Sequence, residues 1–113
     1  MSSSSDPTVI PNCDSSAIQE ALRDIWEHHR GLVGERIELI ERAVNALAAG
    51  ELDEQLRGEA LRAAHMLSGS LGTFGFAGAS EAAGALEQEL ADPRGAQAPL
   101  MKALLRNVRD GLR

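Results

Sequence analysis

The chain has 113 residues and a mass of 12.0 kDa, enough for one compact domain and too little for two. Hydrophobic residues at 43% and charged residues at 25% exclude a largely disordered chain; aromatic residues at 3% (Trp26, Phe74 and Phe76), against abundant Ala, Leu and Gly, argue against a β-sandwich and suit helices packed through aliphatic contacts. The net charge of −6, with ten Arg and a single Lys (Lys102) scattered among seventeen acids, leaves no basic face for nucleic acid.

Residues 1–13 are rich in Ser, carry Pro7 and Pro11 and have no periodicity. They read as a disordered, flexible N-terminal arm ahead of a domain spanning 14–113. The arm lacks the basic start and apolar stretch of a secretory signal, and no apolar run approaches the ~20 residues needed to cross a bilayer. A single cysteine, Cys13, cannot form an internal disulfide, which makes a reducing compartment the default. The expectation is a soluble, cytoplasmic monomer without membrane contact.

Asp14, Ser15 and Ser16 offer oxygens that can cap a helix start. From there Ile18, Leu22, Ile25, His29, Val33, Ile37, Ile40, Val44 and Leu47 recur every three or four residues. The stripe keeps its phase through Gly31 and Gly34, which predicts one long helix over roughly 15–48, bent at most near those glycines and ended by Gly50. A second helix is predicted from Leu52 or Asp53 to about Phe74, with Leu56, Ala60, Ala63, Leu67, Leu71 and Phe74 as its buried line and Gly75 as its stop. Phe76, Ala79, Ala83, Leu86 and Leu90 mark a third, ending at Asp92-Pro93. Met101, Leu104, Leu105, Val108 and Leu112 mark a fourth after the turn at Pro93-Arg94-Gly95. Four amphipathic helices with short connections predict an all-α fold, an antiparallel up-and-down four-helix bundle.

One residue of the second helix sits against its pattern. At about 100° per residue, His65 falls about 180° from Leu56, opposite the buried line, so its imidazole is expected to face solvent or a partner. Gly69 and Gly72 lie at about 220° and 160°, beside it. Glycine inside a helix costs roughly 1 kcal/mol relative to Ala; on an outer face that cost is offset by nothing except a strip without side chains, over which another surface can approach the imidazole.

Residues 64–87 carry Ala64, His65, Leu67, Gly69, Ser70, then Gly75 ten residues after the histidine, then Leu86-Glu87. This pattern resembles the signature of histidine-containing phosphotransfer (HPt) domains, and the four-helix layout extends the resemblance to nearly everything after residue 14. The resemblance implies that His65 accepts a phosphoryl group from a phospho-aspartate on a response-regulator receiver domain and passes it to another receiver. It also implies that the receiver supplies the metal ion (Mg²⁺) and acidic pocket, with a hybrid sensor kinase as a further candidate partner. The chain is then a phosphocarrier and not an enzyme, and it needs no cofactor. An unperturbed imidazole, with a pKa of about 6.5, is a competent nucleophile near neutrality, and phosphoryl transfer depends mainly on positioning and charge neutralisation.

The departure from the family pattern is Ser68, where a Lys often helps to hold the phosphoryl group. Arg62, one turn before His65 and about 60° around the helix, could supply the missing cation. Ser68 and Arg62 are therefore the candidate phosphate contacts, with Gly69 and Gly72 giving steric clearance. Leu61 and Met66, at about 140° and 280°, are the candidate apolar docking rim.

Other readings are weaker. The run Gly69, Gly72, Gly75, Gly78 is no phosphate loop, because a helix interior has no free amides to offer. No Glu-x-x-His pair of a di-iron bundle exists, so no metal site is expected. His29, on the apolar stripe, is expected at the core or its boundary, and His28 in water. The rival from another class is a phosphate-independent helical adaptor, kept open by Ser68.

Overall fold

The computed structural model describes residues 11–92, 94 and 97–112, with side chains from residue 17 onward. Four helices follow one another: α1 (Pro11–Ala48), α2 (Glu54–Thr73), α3 (Ala77–Ala91) and α4 (Ala98–Gly111). No strand occurs among the described residues, and the fold is all-α as expected. The chain divides into two units, Met1–Gly31 and Leu32–Arg113.

The first unit contains α1 up to Gly31. The helix starts at Pro11, four residues earlier than the caps at 14–16 suggest. Proline suits a first turn, since its φ is preset and the amide it lacks would have no intrahelical acceptor there. Residues 11–13 therefore belong to α1; the remainder of the expected arm, 1–10, lies outside the described residues. The glycines at 31 and 34 do not interrupt the helix. On this stretch Ile18, Leu22 and Ile25 are exposed, and so is His29. The expectation of a core or boundary His29 is thereby corrected: periodicity marks a face but not where a neighbour begins to cover it, and burial on α1 starts only at Val33. His28 is exposed, with Nδ1 2.8 Å from the carbonyl of Asp24.

The second unit holds the core. Val33, Ile37, Ile40, Ala43 and Val44 of α1 are buried together with Ala60, Ala63, Ala64, Leu67 and Leu71 of α2, Ala79, Ala82, Ala83, Leu86 and Leu90 of α3, and Met101, Leu105 and Val108 of α4. Leu56, Phe74 and Phe76 are only half-buried. The buried line of α2 is displaced from the expected one towards Ala64, because α3 covers that flank. Arg109 of α4 pairs with Glu41 of α1 at 3.0 Å, and Arg57 of α2 donates to the last-turn carbonyl of Leu90 on α3 at 2.8 Å.

The helix ends have local causes. α1 ends in a Schellman motif, with Glu51 N–H on Ala46 O (2.8 Å), Gly50 N–H on Leu47 O (3.0 Å) and Gly50 at φ 74°. α2 is capped by Asp53, whose carboxylate accepts from Leu56 N–H at 2.7 Å. It closes in a second Schellman motif, with Phe76 N–H on Leu71 O (2.8 Å), Gly75 N–H on Gly72 O (3.2 Å) and Gly75 at φ 89°. This turn fixes how α3 leaves α2.

Hydrogen bonds from Arg57 hold the Glu54 carboxyl below its usual range, and those from Arg94 do the same for Asp92. A lowered folded-state pKa means a contribution present at neutral pH and lost as the pH falls through that lowered value. Both groups are exposed, so both contributions are small.

A tight helix contact lies where α4 ends against α3. A Cβ at Gly111 would stand 2.9 Å from Ala79 Cβ and 3.1 Å from its backbone nitrogen. Gly111→Ala is therefore expected to lower stability by about 1–3 kcal/mol, even though alanine is the better helix former. The unfolding midpoint in denaturant measures this, and an unchanged or higher midpoint would show that the helices have room there.

Candidate functional site

α2 and α3 run antiparallel about the turn at Phe76, and three pairs in constant register build the site. Four residues either side of Phe76, a Cβ at Gly72 would lie 3.3 Å from Ser80 Oγ. Eight residues either side, the Cβ position of Gly84 lies 3.5 Å from Ser68 Oγ, while Ser80 Oγ–H donates across to the Ser68 carbonyl at 2.7 Å. Eleven residues either side, His65 Nδ1 meets Glu87 Oε2 at 2.8 Å. The alternating spacings of three and four are those at which helix ridges interlock. Small residues at the first two pairs bring the helices close enough for the third pair to touch.

His65 is on the outer surface, its side chain 73% exposed, with Glu87 33% exposed beneath it. The imidazole lies mid-helix, where the backbone amides are already paired, so its root is fixed and only its two side-chain torsions remain. Glu87 restrains them. A carboxylate next to Nδ1 favours the tautomer in which Nδ1–H donates, leaving the lone pair on Nε2, the nitrogen further from the helix. The arrangement is that of an exposed imidazole oriented by a carboxylate at Nδ1, which leaves Nε2 able to act as a nucleophile.

The other expected site residues divide between the two flanks of His65. On the α3 flank lie Leu61 and Ser68, both half-buried. Ser68 turns into the helix contact, and Leu61 is not an open rim residue. Gly72 is exposed, yet its Cβ position abuts Ser80. It therefore serves the approach of α3, a correction to the expectation that it gains no packing in return for its cost. On the opposite flank, nothing lies within 4 Å of the Cβ position of Gly69. Met66 is 48% exposed, and it lines a groove of about 250 Å³ with Arg36, Leu39, Glu59, Arg62 and Ala63.

Glu87 is the partner that residue-by-residue reading missed. Its signal was present in the Leu86-Glu87 pair, since Leu86 is buried and Glu87 stands about 100° further round α3, but periodicity within one helix does not reveal which residue faces it across the turn. Among the described residues, no group of three or more His, Cys, Asp or Glu is placed to hold a metal ion, and no helix is long and apolar enough to cross a membrane.

A family model described as the Hpt domain matches residues 16–112, most of the chain. Neither the curated proteins nor the solved structures give a significant match.

Two outcomes test the geometry. Glu87→Ala should raise the population of the Nε2-protonated tautomer of His65, read from ¹⁵N chemical shifts of the imidazole; unchanged shifts would show that the carboxylate does not orient the ring. Gly69→Leu should leave the unfolding midpoint within about 1 kcal/mol of the parent, since leucine is the better helix former and meets open space, while impairing any process that needs close approach to His65.

Proposed function

Because the chain belongs to the Hpt-domain family, we propose that it is a phosphorelay intermediate whose phosphorylated residue is His65, taking its phosphoryl group from the phospho-aspartate of a receiver domain and yielding it to another. The observation that carries this reading is the exposed imidazole with Nδ1 on Glu87 at 2.8 Å.

The chemistry follows from that contact. The lone pair of Nε2 attacks phosphorus in line with the bond to the aspartyl oxygen. The N–P bond forms, the O–P bond breaks, and its electron pair leaves on the aspartate carboxylate. The ring becomes a phosphoimidazolium whose Nδ1–H remains on Glu87, and the carboxylate offsets the positive charge that develops there. In the return direction the same Nδ1–H lets the imidazole leave as a neutral group. Glu87 thus acts through the imidazole, as a positioning residue that favours neither direction. The acidic pocket and metal ion of such a transfer belong to the receiver. Met66 and the open ground at Gly69 give that partner its approach, and exposure spares His65 the desolvation that burial would impose.

Incubation with a phosphorylated receiver domain should transfer acid-labile, alkali-stable phosphate to the protein, and His65→Gln should abolish it. Transfer that survives this substitution, or stable receiver binding with no transfer to the parent protein, overturns the assignment. Glu87→Ala should slow transfer about 10- to 100-fold, the range of losses seen when a partner that orients a functional histidine is removed.

A further inference from the structure

A phosphoryl group on Nε2 carries between one and two negative charges near neutral pH and needs a cation beside it. Ser68, at the position where resembling chains often carry Lys, provides none. Its hydroxyl lies against Gly84 of α3, and its carbonyl accepts from Ser80. With Nδ1 on Glu87, the nitrogen left for a phosphoryl group is Nε2, on the other edge of the ring.

The face on that other flank is the groove between α1 and α2. Arg36 and Leu39 line it from α1, and Glu59, Arg62, Ala63 and Met66 from α2. Met66 is the next residue after His65, and Arg62 stands one turn before it. Arg30, Arg57, Arg94 and Arg109 each pair with a carboxylate. Arg36 and Arg62 do not: neither forms an ion pair among the described residues, although Glu59 lines the same groove. Two guanidinium groups without an ion-pair partner thus line one groove, whose α2 wall includes Met66, the neighbour of His65 in the chain.

We infer that Arg36 and Arg62 together supply the positive charge that Ser68 does not, with Arg62 contacting the phosphoryl oxygens on His65 and Arg36 adding its field from across the groove. Arg36 is thereby a positioning residue contributed by a helix outside the sequence motif. The inference rests on the reading of His65 as the phosphorylated residue, and the experiment separates the two. Phosphoramidate, a small phosphoryl donor, allows His65 to be modified without any partner domain, and ³¹P NMR follows the ionisation of the attached group.

Removing either guanidinium should weaken the second ionisation of the phosphoryl group about two- to threefold, with the effects combining in the double variant and fading at high salt. Arg36→Gln and Arg62→Gln are the test variants. Arg36→Lys and Arg62→Lys should retain most of the parent behaviour, which a purely structural role for the side chains would not predict. Because Arg62 is exposed, Arg62→Gln carries the test even if Arg36→Gln loses helicity by circular dichroism. An unmoved ³¹P titration midpoint in these Gln variants, with His65 still phosphorylated, overturns the inference and leaves the phosphocarrier reading intact. Failure of phosphoramidate to modify His65 in the parent protein, with His65→Gln as control, overturns that reading and the inference with it.

Discussion

The register of α3 against α2 is the constraint on which the site depends. It is set at one place, the turn in which Gly75 adopts φ 89° and Phe76 N–H returns to Leu71 O. From that turn, Gly72 against Ser80 and Ser68 against Gly84 carry the register along the helices until Glu87 stands beside His65. A shift of one residue on α3 would turn Glu87 by about 100° around its helix and take the carboxylate off the imidazole. A side chain at 72 would crowd the Ser80 hydroxyl, 3.3 Å from the Cβ position there. Glycines that resemble cleared ground around the histidine are thus in part the means by which its partner arrives.

The result is an imidazole with two unlike flanks. Towards α3 it meets a carboxylate and tightly fitted small side chains, which settle the ring and its tautomer. On the other flank lie the open ground at Gly69 and the exposed Met66, which lines a groove with two arginines and Glu59. On the proposed reading the Glu87 carboxylate would hold the proton on Nδ1, while the arginines of the other flank, which share their groove with Glu59, would answer the charge of the phosphoryl group.

Much of this was legible in the sequence because it is local. A period of 3.6 put His65 opposite the buried line of α2, and Gly50, Asp53 and Gly75 marked helix ends that backbone hydrogen bonds account for. What escaped was whatever depends on a neighbour. Glu87 is 22 positions from His65, and no pattern within α2 names it. Gly72 and Ser68 could be placed on a face, but that α3 covers this face is a fact about two helices. The same holds on α1, where one unbroken stripe contains buried Val33 and Ile37 and also exposed Ile18, Leu22 and Ile25. Periodicity tells which side of a helix would be buried; only the length of its neighbours tells how far burial extends.

A histidine in the middle of a paired helix is an economical solution to a problem of entropy. A nucleophile on a loop would have to be ordered, backbone included, each time a partner arrived, at roughly 1–2 kcal/mol per residue fixed. In α2 that ordering is completed by folding, and the core beneath, with Ala64 and Leu67 fully buried, holds the backbone in place. Glu87 then restrains the two remaining torsions. On the proposed reading a partner would find the reactive nitrogen already placed, and its binding energy would go to alignment at phosphorus and not to organising the carrier. On the proposed reading a relay intermediate has to present one nitrogen to a donor and an acceptor in turn, which suits an imidazole as exposed as that of His65 and would not suit one in a deep pocket.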